Sequence, residues 1–209
     1  MGTPFDIVTV APICIDEVVK RDGNSIFTFG CSKINTIVAL QRLGLKTSVV
    51  TVVGEDENST EFISDLHDEG VDALTFTDPS YIAPVNRIES VLDKDPVVIR
   101  MQEYKRPEQI TPEIESYLVK SKALFIGAFN PQAIDYIRFA AENDIDVYLS
   151  LHLSKDLSPQ FIKYLPSIKA IIGNREEEEQ IQPYFSDIDL SKTRIFITLD
   201  KDGSKKYNS

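Results

Sequence analysis

Two kinds of side chain in this sequence are suited to gripping alcohols. A carboxylate accepts two hydroxyl hydrogen bonds and so orients a polyhydroxylated molecule; a carboxamide donates and accepts together, which suits neighbouring hydroxyls. Asp16 follows the first apolar run, Asn35 lies in the helical stretch after it, and Gly30 stands between them. A glycine at that point lets the main chain approach a ligand closely. Further along, Gly54-Glu55-Asp56 follows a second strand-like run, and Gly173-Asn174 follows a later one. In open α/β sheets ligands bind past the carboxyl ends of the strands, so these residues are candidates by place as well as by type. Each also has a plainer reading. Asp16 could cap a turn, Asn35 could cap a helix start, Gly30 could be a turn glycine, and Asn174 could be an N-cap before an acidic first turn.

The other reactive residues exclude several classes. His67 and His152 stand far apart, without the Cys or carboxylate spacing of a zinc site. Cys14 and Cys31 are the only cysteines, too few for a disulfide framework, and no signal peptide precedes Phe5, so a reducing cytoplasm is the expected location. The net charge of −11, with no Lys/Arg cluster, argues against nucleic acid and anionic membranes. An acidic chain that binds a nucleotide needs local help with the phosphates, from Mg²⁺, backbone N–H groups or a helix N-terminus. The apolar run Ala123–Phe129 is far shorter than a membrane span. No Gly-x-Gly-x-x-Gly follows the first strand, which tells against a dinucleotide-dependent dehydrogenase.

These residues are positioned by an alternation of strands and helices. Phe5–Ile15 (FDIVTVAPICI) reads as one buried strand, and Val18–Lys20 and Ser25–Phe29 as a hairpin around Arg21-Asp22-Gly23-Asn24. Ile34, Ile37, Val38 and Leu43 follow a helical period that Gly44 closes. Thr47–Val53 is a strand, Glu57–Glu69 a helix ended by Gly70, and Ala73–Thr77 a strand. Asn86–Leu92 and Val97–Gln102 read as a second hairpin around Asp93-Lys94-Asp95-Pro96. Then come strand Ala123–Gly127, a helix starting at Asn130-Pro131 with Ile134, Ile137 and Ala141 facing the core, strand Val147–Leu151, and a helix from Ser158-Pro159. Strand Lys169–Ile172, helix Arg175–Ile181 and strand Arg194–Leu199 complete the series. In the acidic run Glu176–Glu179, the last two residues read as a solvated helix face. With 209 residues, 42% of them hydrophobic, this pattern implies one α/β domain with a doubly wound, mostly parallel sheet and helices on both faces. The two hairpins, at about 17–29 and 86–102, imply a small β lid.

The segment Gly30-Cys31-Ser32-Lys33-Ile34-Asn35, followed by Gly44 and Gly54, resembles the first signature of the ribokinase-like (PfkB) carbohydrate kinase family. The stretch VTVVGEDENSTEFISDLHDEGVDALTF, the Asn174-Arg175-Glu176-Glu177 segment and IFITLDKDGSKKY are similar to further motifs of that family, in the family's order. The resemblance covers essentially the whole chain. It departs from the pattern at Cys31, where the second glycine of a pair is usual, at Lys33 and Ile37, where small residues are preferred, and at Asp200, which replaces a glycine after Thr-Leu. The family's second signature, an Asp-Thr-x-Gly-Ala-Gly-Asp run carrying the catalytic base and an anion hole, is not found before Ser209.

The resemblance implies an ATP- and Mg²⁺-dependent kinase of a sugar, inositol or nucleoside, with the fold incomplete at its C-terminus. It implies Asp16, Gly30 and Asn35 as polyol contacts, Asn174 and Glu177 as a pair organising Mg²⁺ and phosphate through water, and Thr198 and Gly203 as nucleotide contacts. The catalytic Asp is expected beyond Ser209, so the chain alone is expected to be inactive, and no residue is expected to ligate the metal directly. Only 13 residues separate Asp16 from Gly30, and this short lid, with VVIRMQEYKRPEQITPEIE, is somewhat similar to inositol-kinase members. The expected partners are a small polyol and a nucleotide, with no nucleic acid and no membrane; a homodimer is admitted. The rival reading is a pseudokinase that binds a polyol without transferring phosphate.

Overall fold

The computed structural model describes residues 4–20, 22–89, 97–100, 103–127, 131–151 and 163–207. The opening apolar run makes a shorter strand than its composition implies: β1 spans only Ile7–Val10. The Ala11 N–H still donates to the Val50 carbonyl at 3.1 Å, but Pro12 brings no N–H and the ladder stops there. Ala11, Ile13 and Cys14 stay fully buried, so the run is apolar for packing rather than for sheet pairing. After the break come β2 (Ile15–Val19), β3 (Ser25–Phe29), α1 (Ser32–Arg42), β4 (Thr47–Val53), α2 (Glu57–Asp68), β5 (Asp72–Thr77), β6 (Val85–Glu89) and β7 (Val97–Arg100). Asp16, expected past the end of the first strand, therefore lies within β2.

The chain divides into two compact units, Val8–Pro107 and a second formed by Met1–Ile7 with Glu108–Ser209. In the first, β1, β4 and β5 belong to the main sheet in that order, and β4 and β5 run parallel. A separate four-stranded sheet has the order β3-β2-β6-β7. Its two antiparallel hairpins are joined through a parallel β2–β6 pairing. The first hairpin begins earlier than its turn signal implied, since Ile15 already pairs with Phe29. Of the second, the structure describes Val85–Glu89 and Val97–Arg100; residues 90–96 and 101–102, like Arg21 in the first, lie outside the described residues.

Both helices of this unit end as their glycines dictate. The Gly44 N–H donates to the Gln41 carbonyl and Leu45 N–H to Leu40, with Gly44 at φ 91°; Gly70 at φ 80° repeats the arrangement with His67 and Leu66. A positive φ is close to free only for glycine, so these two positions close their helices cleanly. Asp56 caps α2 by accepting the Ser59 N–H at 3.1 Å, and the Ser59 hydroxyl donates back to it at 2.6 Å.

The second unit contains α3 (Pro112–Leu118), β8 (Ala123–Gly127), α4 (Pro131–Glu142), β9 (Asp146–Ser150), β10 (Ile168–Asn174), α5 (Arg175–Ile181), β11 (Arg194–Thr198) and β12 (Ser204–Tyr207). Its strands take the order β12-β11-β10-β9-β8, parallel except for β12. Together the main-sheet strands number eight and the sheet is mostly parallel. All five residues of β8 are buried, as a strand covered on both faces requires. At the β12 end of this order, Lys205 and Lys206 place charge where another chain could otherwise pair.

On α4 the buried face is Ala133, Tyr136, Ile137 and Ala140. Ile134 is half-buried and Ala141 exposed, which corrects the stripe expected from the sequence. The helix packs against β8 and β9. Asn130, His152 and the Ser158-Pro159 helix start lie outside the described residues. Among the described residues no helix is long and apolar enough to cross a membrane.

Candidate functional site

In the unit Val8–Pro107, Asp16 sits directly opposite Asn86 in the parallel β2–β6 register. Asn86 is 3% exposed, and its Nδ2 donates to Asp16 Oδ1 at 2.8 Å and to Cys14 Sγ at 3.4 Å. The Tyr104 hydroxyl donates to Asn86 Oδ1 at 2.7 Å. The amide is thus used on both sides, which settles its orientation and holds the carboxylate in one place. Asp16 itself is half-buried. Burial raises its carboxyl above the ordinary value, and the Asn86 hydrogen bond partly opposes that rise. Burial, reinforced by Cys31 and Asp16, also pushes the Cys14 thiol up to about 12, so Cys14 is a neutral packing residue at ordinary pH.

Gly30 is drawn into the same cluster. Its N–H donates to the Cys14 carbonyl at 2.8 Å, and a Cβ there would lie 2.6 Å from Asp16 Oδ1 and 2.5 Å from Cys14 Sγ. The residue is glycine because no other side chain fits beside the Asp16 carboxylate. Asn35 is exposed on the first turn of α1, and its N–H donates to the Cys31 carbonyl. It is not the cap; Cys31 occupies that position, with φ 68°. Among the described residues no hydrogen bond joins Asn35 to Asp16.

Two participants escaped sequence reasoning. Asn86 and Tyr104 lie in and after the second hairpin, and only the β2–β6 pairing brings them to Asp16. On α1, Lys33 is also buried, at 5% exposed. Burial depresses its ammonium below the usual lysine range; Cys31 opposes this and the Arg106 guanidinium adds to it. The available signal was the departure of Lys33 from the small residue usual in the family signature.

In the other unit, Asn174 ends β10 and caps α5. Its Oδ1 accepts the Glu177 N–H at 2.9 Å, and Glu177 Oε2 accepts the Asn174 N–H at 2.9 Å, a reciprocal capping box. Glu177 is 5% exposed. The structural role open in the sequence is therefore filled, while the carboxylate stands at the carboxyl end of a parallel strand. Thr198 pairs with Asn174 in the β10–β11 register and donates from Oγ1 to the Gly173 carbonyl at 3.3 Å. Gly203 lies in the turn between β11 and β12, where its carbonyl accepts the Leu199 N–H at 2.8 Å. Glu178, expected on a solvated face, instead accepts hydrogen bonds from Lys205 and from the Tyr207 hydroxyl and ties α5 to β12. Among the described residues no group of three or more His, Cys, Asp or Glu could hold a metal ion directly.

A mostly parallel eight-stranded sheet with a small accessory sheet that presents a fixed carboxylate defines a ribokinase-like α/β protein. The chain belongs to the pfkB family of carbohydrate kinases, whose model matches residues 4–189. Its structure is similar to a PfkB protein from Polaromonas sp. JS666, with a TM-score of 0.78, 15% identity, and coverage of 98% of this chain and 80% of that one. Halothermothrix orenii fructokinase gives a TM-score of 0.79 at 15% identity, covering 98% and 83%. An uncharacterized sugar kinase from Pyrococcus horikoshii, solved in complex with ATP, gives 0.76 at 18% identity, covering 97% and 74%. No curated protein sequence matches the chain.

Proposed function

We propose that this chain is the polyol-holding part of a kinase that transfers the terminal phosphoryl group of ATP to an alcohol of a sugar, inositol or nucleoside. The observation that carries this reading is the Asp16 carboxylate, fixed by Asn86 and packed so closely against Gly30 that a Cβ there would collide with it. A carboxylate held in this way accepts two substrate hydroxyls, and Asn35 adds a donor and an acceptor from α1. The four-stranded sheet acts as the lid over the substrate. Positioning of this kind supplies much of the acceleration in phosphoryl transfer.

The residues of the second unit suit hydrated Mg²⁺ better than directly ligated metal. Glu177 is already engaged by the Asn174 N–H, and Mg²⁺ readily keeps its waters and takes its remaining ligands from nucleotide phosphates. When bound, the ion neutralises phosphate charge; Asn174 and Glu177 would orient its waters, and Thr198 and Gly203 would line the nucleotide. No counterpart of the family's Asp-Thr-x-Gly-Ala-Gly-Asp run occurs within residues 1–209, so no residue among them is assigned as the base for the acceptor hydroxyl. We assign the protein to the cytoplasm.

Calorimetric titration with a panel of sugars, inositols and nucleosides tests the reading. At least one should bind wild type and lose at least tenfold in affinity to Asp16→Asn. Equal affinities for the two proteins would remove Asp16 from the site. A coupled assay for ADP release, run on the gene product with its native C-terminus, separates kinase from pseudokinase.

A further inference from the structure

The adjacent parallel strands β9, β10 and β11 begin at Asp146, Ile168 and Arg194, and beside these starts lies a cleft of about 430 Å³. Three cations line it, Lys169, Lys192 and Arg194. No sequence run announces this cluster, because it forms only where β10 and β11 start side by side. The chain carries a net charge of −11, so the excess of positive charge is local. Among the described lining residues Asp146 is the sole carboxylate, and it pairs with Lys169 at 3.8 Å; Asp189, in the turn before β11, pairs with Lys192 at 3.7 Å. Both distances are well beyond the ~2.7–2.9 Å of a charge-assisted hydrogen bond, and exposed pairs of this kind hold weakly. Arg194 is exposed and takes part in no ion pair among the described residues. The frame behind these side chains is firm. Asp189 Oδ1 accepts the Ser191 N–H at 3.0 Å and the Ser191 hydroxyl at 2.6 Å, and the Asp189 carbonyl accepts the N–H groups of Lys192 and Thr193. Thr193 is fully buried and donates from Oγ1 to the Ile168 carbonyl at 2.7 Å, which ties one wall of the cleft to the other. Like charges gathered on such a frame repel one another, and an anion between them relieves that repulsion.

We infer that this cleft binds the phosphate group of a small phosphate ester, with Arg194 as a two-pronged donor, Lys169 and Lys192 as point charges, and Ser167 adding a hydroxyl. With Asp146 counted, the lining carries two net positive charges, which matches the near-dianionic state of a phosphate monoester at neutral pH. The volume falls within the ~300–1,000 Å³ of small-molecule sites and exceeds what one phosphate group fills, so the organic body of the ester has room beside Pro166. The cleft stands at the amino end of β10. Asn174 closes the same strand at its other end, five residues and roughly 16 Å from Lys169. The inference therefore concerns neither the residues assigned to the nucleotide nor those assigned to the polyol, and it stands apart from both readings.

The test is an NMR titration of the ¹⁵N-labelled chain with phenyl phosphate, phenyl sulfate and inorganic phosphate, at about 0.15 M salt so that unspecific attraction is screened. None of these probes carries an alcohol for Asp16 to hold, so the outcome leaves the polyol reading untouched. With phenyl phosphate the amide signals of Ser167, Lys169, Lys192 and Arg194 should move first and saturate, at an affinity at least fivefold above that for the singly charged phenyl sulfate. Arg194→Gln should weaken phenyl phosphate at least tenfold while melting within about 2 °C of wild type, since no ion pair is lost with the guanidinium. Lys192→Gln should give the same direction of change and serves if the arginine variant does not fold. Signals that move only around Asn174 and Thr198, or that do not move at all, would overturn the inference. So would an affinity that survives both substitutions. Inorganic phosphate bound as tightly as the ester would overturn it as well, by showing a site for the free ion.

Discussion

Asn86 donates from Nδ2 to Asp16 Oδ1 at 2.8 Å, across the point where β2 and β6 pair in parallel. The bond joins residues 70 apart in sequence and is braced from behind by the Tyr104 hydroxyl. It keeps a half-buried carboxylate in one orientation at the expense of part of its hydration. Stability and ligand binding are therefore set against each other at this residue.

Asp16→Asn should separate the two. Burial raises the Asp16 carboxyl above its ordinary 3.8, so the folded chain holds this proton more tightly than the unfolded chain does. Stability from this group is fully present below the unfolded value and is lost as pH rises through the raised folded one. Asparagine keeps an acceptor for Asn86 and never ionises. The variant's melting temperature should match wild type in acid and exceed it at neutral pH, while polyol affinity drops at least tenfold. A variant less stable than wild type at neutral pH would contradict the burial argument.

Gly30→Ala should damage the same spot by sterics alone. The new methyl would lie 2.6 Å from Asp16 Oδ1 and 2.9 Å from the Cys14 carbonyl oxygen, which belongs to the backbone. Overpacking of this kind costs ~1–3 kcal/mol, read as a lower denaturant midpoint. Polyol binding should fall with it, because the carboxylate must move out of reach of Asn86.

Asn174 and Glu177 separate a structural role from a chemical one. Asn174→Ala removes the cap acceptor of α5 and should cost ~1 kcal/mol of stability. Glu177→Gln retains an oxygen for the Asn174 N–H and should melt within about 2 °C of wild type, a shift of well under 1 kcal/mol. In the gene product with its native C-terminus, the same glutamine should weaken Mg²⁺-nucleotide binding several-fold. Unaltered nucleotide affinity would leave Glu177 as part of a cap and nothing more.

Cys31→Gly should stabilise the fold. Cys31 holds φ 68°, a conformation that costs a non-glycine residue ~1–3 kcal/mol. The glycine penalty in the unfolded chain offsets part of this, leaving a gain of ~1 kcal/mol, seen as a higher urea midpoint at unchanged slope. A lower midpoint would show that the Cys31 side chain contributes more through packing than its backbone strain costs.

The order of strands and helices was legible because it depends on local features. Alternating periods and the glycines at 44 and 70 act over three or four residues, and each lies where its pattern placed it. The family motifs were legible for the same reason. Even the departures obey the local rule, since Cys31 and Asp200, where glycines are usual, both keep positive φ at 68° and 51°. Tertiary structure alone decided the rest: that Pro12 ends β1 and carries Asp16 into the small sheet, that Asn86 and Tyr104 brace it, and that Lys33 is buried. These relations join segments tens of residues apart. They depend on strand register and on which side chains are left without water, and neither is encoded in the spacing of neighbouring residues.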